Sequence, residues 1–132
     1  MYLRDDLVVD SVVDLDEAAA LLLERVARWR SAGLEVGEPT WRDGEAPWPQ
    51  TLETDRARVR DPDSLGVVIR GAAEAELQVV LWRGGWADVD FLMARLEDGG
   101  VLPAPDIVSA SDFAARMDQW VVRVFGTSGA AQ

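Results

Sequence analysis

The sequence contains no cysteine and no histidine among its 132 residues. The absence of cysteine excludes disulfide bonds, thiolate metal sites and cysteine nucleophiles. The absence of histidine removes the most common general base, the most common metal ligand and the Ser-His-Asp triad. Carboxylates, hydroxyls and one tyrosine remain as candidate catalytic groups. We therefore expect a protein that is not an enzyme and that holds neither a cofactor nor a metal.

Long hydrophobic runs and targeting signals are also missing. No apolar stretch approaches the ~20 residues of a membrane-spanning helix, and the acidic N-terminal residues 1–6 are unlike the start of a signal peptide. A chain of this length buries roughly two thirds of its unfolded surface without help from metals or disulfides. We expect a cytoplasmic protein that folds as one domain over residues 1–132.

Lysine is absent as well, so that all 13 basic residues are arginine, against 24 carboxylates and a net charge of −11. A surface with this charge repels nucleic acid and anionic membranes, and it favours a basic protein partner. The composition therefore predicts binding to a basic protein and excludes nucleic acid and membrane as partners.

Two helices are predicted from capping residues and apolar spacing. The first follows Asp14, which stands three residues before Glu17 in a capping-box spacing, and it runs to about Ser31 with Gly33 as its left-handed stop. The second begins at Ser109 or Ser111 and ends at Gly126. Apolar side chains fall on one stripe of each helix, namely Leu15, Ala19, Leu22, Val26 and Trp29 in the first, and Phe113, Met117, Trp120, Val121 and Val124 in the second.

Alternating apolar residues predict strands at 7–9, at 34–36 with an extension over 40–41, and in a three-strand meander at 65–69, 77–81 and 86–93. Turn and breaker residues predict loops at 42–49 and 98–105. The sequence does not decide whether residues 50–63 form a strand or a short helix. The element order predicts an α+β fold, a two-layer sandwich in which a mostly antiparallel sheet of about five strands carries both helices on one face and leaves the other partly open.

The glycine pair at 84–85 permits two hairpin registers. A two-residue turn buries Trp82 and turns the aliphatic residues of strand 77–81 outward. A three-residue turn with a left-handed glycine instead pairs Leu81 with Val89 on the core side. We prefer the three-residue turn, which gives the outer face the side chains Glu76, Gln78, Val80, Trp82, Asp88 and Asp90.

The Asp88-x-Asp90 pair is the candidate for divalent metal binding, because alternate strand residues project side by side. Two solvated aspartates are the better interpretation, since no nucleotide-binding loop accompanies them. An arginine row, Arg56, Arg58 and Arg60, is interpreted as neutralising nearby carboxylates in preference to forming an anion site.

Tryptophan is abundant, with six residues in the chain. Trp29 and Trp120 lie on helical apolar stripes and are assigned to the core. The others lie among polar neighbours, and tryptophan is enriched in protein interfaces. The sequence therefore predicts a partner-binding patch of Trp41, Trp48, Trp82, Trp86, Asp88 and Asp90. The alternative is that Trp86 stacks on Arg83 and Trp82 closes the end of the sheet, an arrangement that needs no partner.

The layout of the chain resembles that of immunity proteins from bacterial polymorphic-toxin systems: it is short and acidic, has a capped first helix and a tryptophan-bearing meander, and closes with a helix over Ser109-Ala-Ser-Asp-Phe113. The resemblance lies in layout and identifies no individual residue. It implies a protein that binds a cognate toxin and blocks it. A small acidic secretion chaperone, which binds an effector segment through an open sheet or a homodimer surface, is the alternative.

Overall fold

A computed structural model describes residues 12–96, 98–102 and 104–126. The predicted strand at 7–9 lies outside these residues. The helices are α1 (Leu15–Ser31) and α2 (Ala110–Phe125), and none of the described helices is long and apolar enough to cross a membrane. The strands are β1 (Glu35–Val36), β2 (Thr40–Asp43), β3 (Pro62–Arg70), β4 (Glu76–Trp82), β5 (Trp86–Leu92) and β6 (Gly99–Leu102).

Both predicted helices are confirmed, together with their caps. The Asp14 side chain accepts a hydrogen bond from the Glu17 backbone N–H at 3.1 Å, and α1 ends before Gly33, whose φ is +93°. Of the two predicted caps for α2, Ser109 is the one used, because its Oγ accepts from the Asp112 backbone N–H at 3.0 Å. Each helix therefore begins where a side-chain acceptor satisfies an otherwise unpaired N–H group.

The sheet has six strands in the order β1-β3-β4-β5-β6, and β2 pairs with β3 beside β1. Every strand pair among the described residues is antiparallel. The expected extension of the first strand is instead a separate strand, because β1 pairs with one end of β3 and β2 with the other. The predicted α+β fold with a mostly antiparallel sheet is confirmed.

One local prediction is wrong. Residues 99–102 are the edge strand β6, not a loop, and they pair with β5 from Val89↔Leu102 to Leu92↔Gly99.

Residues 50–63, which the sequence left open between a strand and a short helix, contain both kinds of structure. Residues 56–58 form a single 3-10 turn, capped by the Asp55 side chain. Glu53 forms an isolated β-bridge with Trp41, and β3 begins at Pro62.

The two layers meet in one hydrophobic core. The helices contact each other, α1 contacts β3, and α2 contacts β4, which places both helices on the same sheet face. Arg25 and Arg28 of α1 each lie 3.0 Å from Asp118 of α2 and join the helices at their surface. Trp29 is fully buried and Trp120 is 8% exposed, so their assignment to the core is confirmed. The opposite sheet face carries exposed side chains such as Gln78 and Asp90.

Candidate functional site

The hairpin between β4 and β5 uses the three-residue turn at 83–85, with Gly85 at φ +100°, as preferred from the sequence. The predicted pairing of Leu81 with Val89 is wrong, because Leu81 lies opposite Ala87. The error is two residues along the strand. Since a shift of two leaves every side chain on its own face, the predicted outer face is confirmed even though the register differs.

A row of outward residues crosses the sheet at this hairpin. Arg42 of β2 lies opposite Ser64 of β3, Ser64 lies opposite Trp82 of β4, and Trp82 lies opposite Trp86 of β5. Ser64 is small and buried, so the Arg42 side chain reaches across it toward Trp82. Four antiparallel strands thus bring one cation and two indoles into a single line.

These side chains stack on one another. The Arg42 guanidinium carbon lies 4.8 Å from the ring centroid of Trp48 and 5.8 Å from that of Trp82. The Trp82 and Trp86 ring centroids are 5.9 Å apart, and the rings are inclined by 16°. Both distances to the guanidinium are within the range of cation-π attraction. We call Trp48, Arg42, Trp82 and Trp86, in this order, the aromatic ladder.

Both ends of the aromatic ladder are open to solvent. Trp48 is 72% exposed and Trp86 is 47% exposed, whereas Trp82 between them is half-buried. Exposed tryptophan is unusual, because a ring of this size loses much favourable apolar burial when it faces water. The ladder therefore presents two large aromatic surfaces that the described residues leave uncovered.

The predicted aspartates lie beside the ladder on the same face. The Trp82 Nε1–H donates to Oδ2 of Asp88 at 3.0 Å, which fixes the orientation of the indole ring. Asp90 is exposed and lies opposite Gln78. Among residues 12–96, 98–102 and 104–126, no group of three or more carboxylates is arranged to hold a metal ion. The outer sheet face therefore carries exposed carboxylates beside an aromatic surface.

Arg83 lies next to the ladder. It does not stack on Trp86, although the alternative interpretation predicted that it would. Its Nη1 lies 2.6 Å from Oδ1 of Asp61, and its Nε lies 3.6 Å from Asp63. Asp63 also lies 3.6 Å from Nε of Arg42. A hydrogen bond to Asp61 thus holds Arg83 in place, whereas Arg42 has, within the described part of the chain, only the longer ion pair with Asp63.

The loop that carries Trp48 is attached through Asp43. The two carboxylate oxygens of Asp43 accept hydrogen bonds from the backbone N–H groups of Arg60, Asp61 and Glu45. These bonds, led by that from Arg60, hold the pKa of the Asp43 carboxyl below its usual value of 3.8. Gln50 adds a reciprocal pair of hydrogen bonds with the Asp43 backbone.

The prediction that Trp41 belongs to the partner-binding patch is wrong. It lies opposite Leu65 on the core side of the sheet and is only 4% exposed. Arg56 covers its ring at 5.2 Å and also forms an ion pair with Asp16 at 2.7 Å. The interpretation that the arginine row neutralises carboxylates is therefore confirmed for Arg56.

Four of the six predicted site residues thus form one connected surface, Trp48, Trp82, Trp86 and Asp88, with Asp90 on the same face. The sequence-based selection missed Arg42, which links the two halves of the ladder. A signal was present, since Arg42 follows Trp41 in a strand and must face the opposite side of the sheet. This alternation shows which face Arg42 occupies, but it does not identify the tryptophans on which Arg42 stacks.

A comparison of the chain with protein-family models, with curated proteins and with solved structures finds no match.

Proposed function

We propose that this protein is a non-catalytic binding module and that it acts as an immunity protein, neutralising a cognate bacterial toxin by binding it. Its contact surface is the outer sheet face with Trp48, Trp82, Trp86, Asp88 and Asp90. The observation that carries the proposal is the aromatic ladder, which has exposed rings at both ends and lies with the exposed carboxylates of Asp88 and Asp90 on the face that carries no helix.

The chemistry of this face supports binding to a protein. Interface hot spots are rich in tryptophan, because a large rigid ring buries much area while losing little side-chain entropy. The stacked ring of Trp82 and the hydrogen bond from its Nε1 to Asp88 hold this part of the surface in one arrangement before a partner arrives. Preorganisation of this kind lowers the entropy lost on association.

The charge of the chain supports a basic partner. Its net charge is −11, and the carboxylates of Asp88 and Asp90 extend from the same strand as Trp86. Long-range attraction between an acidic inhibitor and a basic target increases the association rate, and rapid capture is what protects a cell from a toxin.

The test is co-expression with the protein encoded by the adjacent open reading frame, followed by measurement of toxicity and of binding by calorimetry. We expect a stoichiometric complex that abolishes toxicity. The double variant Trp86→Ala/Asp88→Ala should weaken this complex by about 30-fold or more, the factor that corresponds to the loss of a hot spot of about 2 kcal/mol.

The matched control is Leu23→Ala/Glu24→Ala on the exposed side of α1, which removes one apolar and one acidic side chain away from the sheet. It should leave affinity and toxicity unchanged. Equal affinity of the Trp86→Ala/Asp88→Ala variant and the native chain, with circular dichroism showing an intact fold, would refute the proposed surface. Binding to an extended segment of the partner that leaves the partner's activity intact would favour the secretion chaperone instead.

A further inference from the structure

The aromatic ladder holds one planar cation between two indole rings and ends on a third indole. Arg42 lies between Trp48 and Trp82, and Trp86 stacks on the far side of Trp82. Trp86 has 47% of its surface exposed, and among the described residues no second aromatic ring or cation stacks on it. The chain itself therefore shows that a guanidinium and an indole both pack against these rings, and part of Trp86 remains uncovered.

A cleft adjoins this open position. It has a volume of about 220 Å³ and is lined by Asp63, Trp82, Arg83, Gly84 and Trp86. Pockets for small-molecule ligands start at about 300 Å³, so this cleft has the size for one side chain rather than for a cofactor. The Trp86 ring packs closely against Gly84, since a Cβ at this residue would lie 2.6 Å from Cζ3 of Trp86 and would displace the ring.

The charge of the outer face beside the cleft favours a cation. Arg83 is held by Asp61 at 2.6 Å and by Asp63 at 3.6 Å, so its charge is already compensated. Asp88 and Asp90 point to the same face from the strand that begins with Trp86, and their charges are not matched by an ion pair among the described residues. An incoming cation therefore gains attraction from the carboxylates as well as from the face of the indole ring.

A guanidinium fits this position better than an ammonium group. It is planar and weakly hydrated, so it stacks flat on an aromatic ring while its N–H groups remain free to bind carboxylates. Arg42 adopts such an arrangement within the ladder. We propose that Trp86 and the adjoining cleft receive an arginine side chain of the protein partner, which extends the aromatic ladder by one cation. This inference rests on the proposed function, because it names the chemistry by which the same surface recognises its partner.

The experiment is a titration of the full chain with acetyl-Gly-Arg-Gly-amide, followed by the indole N–H signals in ¹H–¹⁵N NMR spectra. We expect the Trp86 and Trp82 signals to shift, whereas the signal of the buried Trp29 stays in place. A peptide with citrulline, which keeps the planar shape without the charge, should shift them much less. Equal shifts with arginine and citrulline, or equal affinities for arginine and lysine peptides, would overturn the assignment of a guanidinium.

Substitutions on the outer face and on α1 test whether the peptide binds at Trp86. Trp86→Leu and Asp88→Asn should each weaken arginine-peptide binding by about 2- to 5-fold, the factor expected for one exposed cation-π contact or one charge pair. The controls Leu23→Ala and Glu24→Gln on α1 should bind the peptide as the native chain does. If the controls weaken binding to the same extent, the peptide responds to overall charge and the inference fails.

Other occupants of the position give different results. Self-association of the native chain in sedimentation experiments that Trp86→Leu abolishes would identify a second copy and would overturn the inference. If the partner binds through Trp86 but the arginine peptide does not, the inference fails and the proposed function stands. If the peptide binds but no partner depends on Trp86, the proposed function fails instead.

Discussion

The two faces of the central sheet are made by the same strands but are ordered in different ways. On the inner face, alternate residues such as Leu77, Val79 and Val89 are at most 1% exposed beneath the helices. On the outer face, their neighbours Gln78, Asp88 and Asp90 are exposed. The inner face is stabilised by the removal of apolar surface from water, whereas the outer face is ordered by stacking and hydrogen bonds.

This difference explains why only the outer face suits recognition. Apolar burial is not directional, so it packs the core without leaving any group free to bind a partner. The contacts of the aromatic ladder are directional, and they hold Trp82 and Trp86 in defined positions while part of each remains accessible. Preorganised, accessible aromatic surface is what an interface requires.

The largest expected effect is on the free energy of unfolding, and it is tested by substituting two adjacent residues of β4 that lie on opposite faces of the sheet. Leu77→Ala should lower the free energy of unfolding by about 2–5 kcal/mol, because Leu77 is fully buried and its truncation leaves a cavity. Gln78→Ala should change this free energy by no more than about 0.5 kcal/mol. Urea denaturation measures both. Similar losses for the two variants would show that the outer face is also covered, and the contrast between the faces would disappear.

A smaller effect is expected on removal of the cation from the aromatic ladder. Arg42→Gln takes the guanidinium from between Trp48 and Trp82 and should lower the free energy of unfolding by about 1–2 kcal/mol, the sum of two cation-π contacts. Tryptophan fluorescence should change at the same time. Arg123→Gln on the exposed side of α2 is the control, and an equally small effect of both substitutions would contradict the stabilising role of the ladder.

The third prediction concerns the pH dependence of the loop that carries Trp48. The pKa of Asp43 is lowered in the folded protein, chiefly by the hydrogen bond from the Arg60 N–H, so the ionised carboxylate stabilises the fold above its usual pKa of 3.8. This contribution is lost as the pH falls through the lower, folded value.

Asp43→Asn should therefore lower the melting temperature at neutral pH, and the difference from the native chain should narrow as the pH falls below 3.8. Thermal denaturation across this range provides the measurement. Glu24→Gln, at an exposed residue of α1, is the control. A difference that stays constant down to low pH would show that the Asp43 carboxylate does not anchor the loop in its charged form.

The smallest effect on stability is expected for the carboxylates of the outer face. Asp88→Asn/Asp90→Asn should change the free energy of unfolding by no more than about 0.5 kcal/mol, while it slows association with a basic partner and weakens the salt dependence of that rate. Stopped-flow mixing at several salt concentrations measures this. Glu24→Gln/Glu38→Gln removes the same charge elsewhere, and an equal loss of rate would show that the position of the charge does not matter.

The helix boundaries and the faces of the meander strands were predictable because they depend on neighbouring residues. Asp14 and Ser109 satisfy backbone groups within three residues of themselves. Strand β6 was missed because Gly-Gly-Val-Leu has little strand preference of its own, and it is held in the sheet by its pairing with β5. The hairpin register was wrong by two residues because alternation specifies a face but not a partner.

The candidate site was predictable to a similar degree. Trp82, Asp88 and Asp90 were placed on one face from alternation alone, and the structure keeps them there. Trp41 was misplaced because a short strand next to a loop does not reveal which of its sides meets the core. Arg42 was missed because its contacts with Trp82 depend on the pairing of β2 with β3 and of β3 with β4.

The amino-acid sequence by itself determined the α+β class, the two capped helices, the faces of the meander and the strongly acidic charge, since each follows from composition or from residues a few positions apart. Tertiary structure alone decided that Trp48, Arg42, Trp82 and Trp86 form one ladder and that Trp41 is buried on the other side of the sheet. The physical reason is that these contacts join residues from three strands and a loop, and their geometry exists only after the strands have paired in register.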